Sequence, residues 1–189
     1  DEAELRSAEA QYNESLRQLA QNDVRARLVT AATTQRPFAE RLTLFWANHF
    51  TVTLLKGTTR GLVGAFEREA IRPHIGGRFI DLLRAATTHP AMLRYLDNQA
   101  SAGPHSLVVQ RLARRREAGD TQAARLTGLN ENLGRELLEL HTLGAAHASG
   151  AHGPWGGYSQ ADVTALAALL TGWRGLGELA NRPPFEPNW

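Results

Sequence analysis

Apolar positions recur at helical spacing along almost every segment of this chain, and glycines and prolines fall in the gaps between segments. Residues 3 to 20 mix Ala, Leu, Glu, Gln and Arg and predict a polar surface helix; Asp23 to Thr34 predicts a second, shorter one. Pro37 suits a first helical turn and opens a helix through about Phe50, with Phe38, Leu42, Phe45 and His49 on one stripe and Trp46 beside it. Thr51 to Leu55 is β-branched but too short to imply a sheet. Leu62 to Ile71 is helical and ends at Pro73. Phe79 to Ala86 follows, with Phe79, Leu82 and Leu83 inward, and Pro90 starts a short helix to Leu96. Val108 to Glu117 is helical and carries Arg111, Arg114, Arg115 and Arg116, a cluster that reads first as a solvated face. Ser159-Gln160-Ala161-Asp162 has the form of a capping box, leading into a stripe of Val163, Leu166, Leu170 and Trp173. The expected fold is all-α, an irregular bundle of about seven to eight helices with no substantial sheet. Its expected organisation is peripheral N-terminal helices over 1–36, a helical core over 37–173, and a Gly/Pro-rich tail over 174–189 leading into a further C-terminal part.

The run Asn130 to Gly144 packs two asparagines, three glutamates, an arginine and a histidine into one short, leucine-rich segment. Asn130 is a suitable N-cap, Glu131 complements the helix dipole, and Gly144 suits a left-handed residue past the helix end. At ~100° per residue, Leu129, Leu133, Leu137 and Leu140 share a face with His141 on the same side. Asn132, Glu136 and Glu139 fall together on another face, flanked by Arg135. This is neither the paired-histidine spacing of a metalloprotease helix nor the Glu-x-x-His spacing of a di-iron bundle. The plainer reading is a solvated face, with Arg135 and Glu139 as i,i+4 partners. The asparagines weigh against it, being poor helix formers.

Composition narrows the options. The chain has 189 residues, enough for one domain with a real core, and a net charge of only +2, which gives nucleic-acid binding no strong support. Absence of cysteine removes disulfides, thiolate nucleophiles and thiolate metal sites. No stretch approaches the ~18 apolar residues of a membrane span. His147 and His152 follow no ligand spacing. No phosphate-binding glycine loop or nucleophile elbow is present.

Several segments together resemble one bacterial family, domain of unknown function (DUF) 1800. They are Arg41 to Phe50, Ile71-Arg72-Pro73-His74, His89 to Leu93 with Tyr95 to Asn98, Asn130 to Gly144, Gly157 to Val163, and Leu170-Thr171-Gly172-Trp173. The resemblance covers roughly residues 37 to 189 and implies a predominantly helical bacterial protein without an assigned activity. It also implies that the chain is part of a longer protein. Export to the periplasm or medium is the expectation that goes with it, a cytoplasmic home being left open. The segment Ala145 to Gly156 is longer than the short turn expected there.

Two functional classes follow. In the first, the chain is a structural or interaction scaffold in which Arg135 and Arg72 satisfy Glu136 and Glu139 in a closed, buried network. In the second, it is a carboxylate- or metal-dependent enzyme, hydrolysis being the natural chemistry. Glu136, Glu139, Asn132 and Arg135 are then catalytic, and Asn48, Arg72 and Asp97 bind substrate. A divalent cation, if used, is held by His49, Glu136 and Glu139. A protein partner, or a further part of the same protein, is the expected macromolecular contact of the scaffold.

Overall fold

The computed structural model describes residues 2–119, 128–148 and 156–173. His152 and the tail 174–189 lie outside the described residues. Eight α-helices, joined by 3-10 and π turns, account for the regular structure, and no strand occurs among the described residues. They are α1 (Glu2–Thr33), α2 (Pro37–His49), α3 (Val63–Phe66), α4 (Phe79–Thr88), α5 (Pro90–Tyr95), α6 (Leu107–Glu117), α7 (Asn132–Glu136) and α8 (Gln160–Leu169). The chain divides into two compact units, residues 1–91 and 92–189. No helix among the described residues is long and apolar enough to cross a membrane.

In the N-terminal unit, α1 is one continuous helix where two were expected. No glycine or proline interrupts it near Asp23, and good helix formers carry it through. Surface pairs such as Arg6–Glu2 (2.6 Å) line it, and only Ala20 is fully buried. Asp23 ties it to the turn that follows α3, accepting from Arg68 at 2.7 Å, and lies against Gly64 of α3. A Cβ at Gly64 would stand 2.1 Å from the Asp23 carboxylate, so a larger residue there displaces the Asp23 side chain from this position.

Helix α2 starts at Pro37 as expected, but its buried face is different. Glu40 and Thr43 are inside, whereas Phe38 and Phe45 are 79% and 58% exposed. Thr43 Oγ1 satisfies itself by donating to the Ala39 carbonyl, and Glu40 is neutralised by Arg72. After α3 the chain widens into a π turn, Glu67–Ile71, then a 3-10 turn, Arg72–His74. Pro73 is the physical cause: it has no N–H to donate and its ring clashes with the preceding turn, so the Arg72 N–H reaches five residues back to Glu67. Phe50, Phe66, Ala70, Ile71, Leu82 and Ala86 form the core of this unit.

In the C-terminal unit, Asp97 takes a left-handed conformation (φ 56°, ψ 24°) ahead of the 3-10 turn Asn98–Ala100. Asn98 is buried, and its Nδ2 donates to the carbonyls of Leu170 (3.0 Å) and Trp173 (3.1 Å), anchoring the end of α8. Asn130 pins the same loop by donating to the Asp97 carbonyl at 3.2 Å. On α6, Ser106 caps the N-terminus, Leu112 faces in, and the four arginines are exposed. Helices α7 and α8 pack closely at Gly134, where a Cβ would lie 3.0 Å from the Ala167 backbone nitrogen. Leu133, Val163 and Ala167 are buried around that crossing.

Candidate functional site

The segment that leads into α7 is held by the residues just before it. Asn130 Oδ1 accepts from the Asn132 N–H at 3.0 Å, forming an Asx turn rather than the expected N-cap. Glu131 accepts from Thr164 Oγ1 (2.7 Å), Gln160 Nε2 (2.7 Å) and Arg135 Nη2 (3.2 Å). Arg135 also donates to Gln160 Oε1 at 2.9 Å. These donors hold the Glu131 carboxyl below the usual range, Thr164 and Gln160 contributing most. On α8, Ser159 and Asp162 form the expected capping box, the Ser159 N–H donating to Asp162 Oδ2 at 2.7 Å.

The helix does not continue as α past Glu136. Leu137–Thr142 is a π turn, and the Leu143 N–H bonds to the Leu138 carbonyl, five residues back. This changes the phase on which the leucine face was drawn. Leu140 is 59% exposed, whereas His141, expected on the same side, is buried. Gly144 ends the turn at φ 94°, ψ 149°, a region essentially restricted to glycine. The altered winding also breaks the expected i,i+4 relation between Arg135 and Glu139. Arg135 turns back to Glu131 instead.

Glu136 and Glu139 are consequently left without a cation. Both are half-buried, and neither has an ion pair or hydrogen bond among the described residues. Burial, with the Glu139 charge adding to it, pushes the Glu136 carboxyl above the usual carboxylate range. A third polar group faces the same charge. Tyr158 is 4% exposed, and its hydroxyl is buried with no hydrogen-bond partner among the described residues. Burial and then the Glu139 charge raise its pKa, while Arg135 opposes the shift. Residue-by-residue reasoning missed Tyr158; its only signal was membership of the Gly157-to-Val163 motif. Asn132, expected beside the glutamates as a catalytic group, is exposed.

The other expected site residues have separate settings. Arg72, expected to satisfy Glu136 and Glu139, is engaged within the N-terminal unit. It makes a bidentate pair with buried Glu40 (2.7 and 2.7 Å) and bonds Glu67 through Nε (2.9 Å) and Nη2 (2.6 Å). Arg27 completes the cluster at 3.0 Å from Glu67. Arg72 holds the Glu40 carboxyl below the usual range against the opposing effect of burial, and its own pKa is raised by Glu40. His49 sits among Phe45, Trp46 and Phe50, its ring centroid 4.7 Å from that of Phe50. Asn48 and Asp97 are exposed. Among the described residues, no three His, Asp or Glu side chains form a group able to hold a metal ion.

Among the described residues the helices define an all-α protein in which one polar helix continues into a π turn. The model of the family described as "Protein of unknown function (DUF1800)" matches residues 1–188, and the chain belongs to that family. The match takes in α1 as well as the segments that carried the resemblance. No curated protein and no solved structure matches the chain.

Proposed function

We propose that the C-terminal unit carries an acid–base site formed by Glu136, Glu139 and Tyr158. The observation that carries this reading is the pair of half-buried carboxylates without a cation among the described residues, with the Glu139 charge acting on a buried tyrosine hydroxyl that has no partner among them. Such groups cost stability unless something else completes them. Two like charges in one site separate their protonation: one group keeps a proton while the other stays ionised. Here Glu136, its carboxyl raised by burial and by the Glu139 charge, is the proton donor, with the Tyr158 hydroxyl donating to a substrate oxygen. Hydrolytic transfer is the reaction class this division serves. A hard divalent cation between the two carboxylates satisfies the same charges and is the cofactor alternative.

The test is the pair of variants Glu136→Gln and Glu139→Gln, followed by carboxyl NMR titration and thermal melts. Glu136 titrates above the ordinary glutamate value of about 4.3, and its pKa falls in the Glu139→Gln variant. Its folded pKa is raised, so its contribution to stability is complete below the unfolded pKa and is lost as pH rises through the folded value. Glu136→Gln therefore melts higher than the parent at neutral pH, and the advantage disappears in acid. Loss of turnover on generic ester and glycoside substrates accompanies that gain. A Glu136 pKa at or below the ordinary value sinks the proposal.

The scaffold reading has its own support in the closed Glu131–Arg135–Gln160–Thr164 cluster, which ties α7 to α8. It differs in outcome, since on that reading Glu131→Gln, which weakens the cluster, destabilises the chain, and Glu136→Gln removes no activity.

A further inference from the structure

The N-terminal unit has a cleft of about 390 Å³ alongside α1, within the size range of small-ligand pockets, roughly 300–1,000 Å³. Its floor is Ala20, Val24 and Leu28, spaced i, i+4, i+8 on α1, closed by Leu54 from the segment after α2. Val24 is 44% and Leu28 66% exposed, so this apolar stripe is open to solvent. Among the described residues its rim is cationic: Arg17, Arg25 and Arg60 line it, and no acidic residue does. Arg17 is paired with Glu14, but neither Arg25 nor Arg60 has an ion pair among the described residues. A neighbouring cleft of about 360 Å³ is a useful contrast, because there Arg27, Arg68 and Arg72 are each matched by Glu67, Asp23 or Glu40. One cleft is thus compensated internally, and the other keeps an apolar floor beneath two available guanidinium groups.

We propose that this cleft binds a long-chain aliphatic carboxylate, the chain lying on Val24, Leu28 and Leu54 and the headgroup meeting Arg25 and Arg60. Charge complementarity selects the headgroup: a planar carboxylate accepts guanidinium N–H groups in pairs. The apolar stripe selects the tail, each buried methylene adding favourable transfer energy. This inference is independent of the acid–base reading of the other unit.

The experiment is calorimetric titration of the full chain with dodecanoate below its micelle concentration, with dodecanol as the neutral-headed control. Saturable binding at one site is expected, with dodecanol at least 10-fold weaker. Arg25→Glu with Arg60→Glu weakens dodecanoate binding at least 10-fold, and Val24→Asp does the same by spoiling the floor. Both are surface changes, and an unaltered circular dichroism spectrum confirms that the fold is kept. Binding that fails to saturate, is equal for dodecanol, or survives the double charge reversal overturns the proposal. So does the absence of dodecanoate binding when an acidic peptide binds instead.

Discussion

Replacing Gly134 by alanine tests the packing that sets α7 against α8. A Cβ at that position stands 3.0 Å from the Ala167 backbone nitrogen, 3.2 Å from the Ala167 Cα and 3.2 Å from the Val163 carbonyl oxygen. Favourable carbon contacts lie at about 3.5–4.0 Å. All three neighbours are helix backbone and cannot rotate away, so the helices must separate by several tenths of an ångström. Overpacking of this kind costs about 1–3 kcal/mol. Alanine recovers about 1 kcal/mol over glycine in helix propensity. The balance is a loss of about 1 kcal/mol, and for a chain of this length that lowers the melting temperature by roughly 2–4 °C. Gly57→Ala is the control. Nothing lies within 4 Å of a Cβ there, and the backbone is not in a left-handed conformation, so stability is unchanged or rises by about 0.4–1 kcal/mol. Differential scanning fluorimetry on the two variants and the parent is sufficient. If Gly134→Ala melts as high as Gly57→Ala, the close crossing is wrong, and the position of Tyr158 against Glu139 loses its support.

Two further outcomes follow from the N-terminal unit. Arg72→Leu leaves Glu40 buried without its bidentate partner and costs about 3–5 kcal/mol; the double variant with Glu40→Leu recovers much of that loss in a double-mutant cycle, and an additive result refutes the pairing. His89 is buried; its Nδ1 accepts from the Ala91 N–H at 3.1 Å and its Nε2 lies 3.3 Å from Glu69 Oε2. Burial lowers its pKa against the pull of Glu69, so its contribution to stability is present above the unfolded pKa and fades as pH falls through the folded one. NMR titration finds His89 below the ordinary value of about 6.5, and His89→Gln flattens the melting temperature between neutral and mildly acid pH; titration at or above the ordinary value contradicts this.

Helix after helix was legible because its signals are local. Pro37 starts α2, Ser159 and Asp162 cap α8, and Gly144 ends the polar helix at positive φ. What failed were inferences that depend on distant partners or on an ideal helical pitch. On α2 the apolar stripe of Phe38 and Phe45 lies outside and Glu40 inside, because Arg72, 32 positions along the chain, neutralises Glu40. No spacing rule within α2 contains that information. In the polar helix Arg135 pairs with Glu131 rather than with Glu139. Glu131 has the better donors around it, in Gln160 and Thr164, and these belong to another helix. Asn98 and Asn130 hold loop and helix-end carbonyls, a role that their residue type permits but does not announce.

The π turn at Leu137–Thr142 makes chain length a variable separate from side-chain identity. An α-helix with one residue added in a turn carries the same side chains on a rotated far half. Removing a single residue there restores the ordinary pitch, which turns Leu140 toward the leucine face and shifts Glu139 relative to Glu136 without changing either side chain. Deletion and substitution therefore act on different coordinates of this helix: one sets which way its far half faces, the other what it presents.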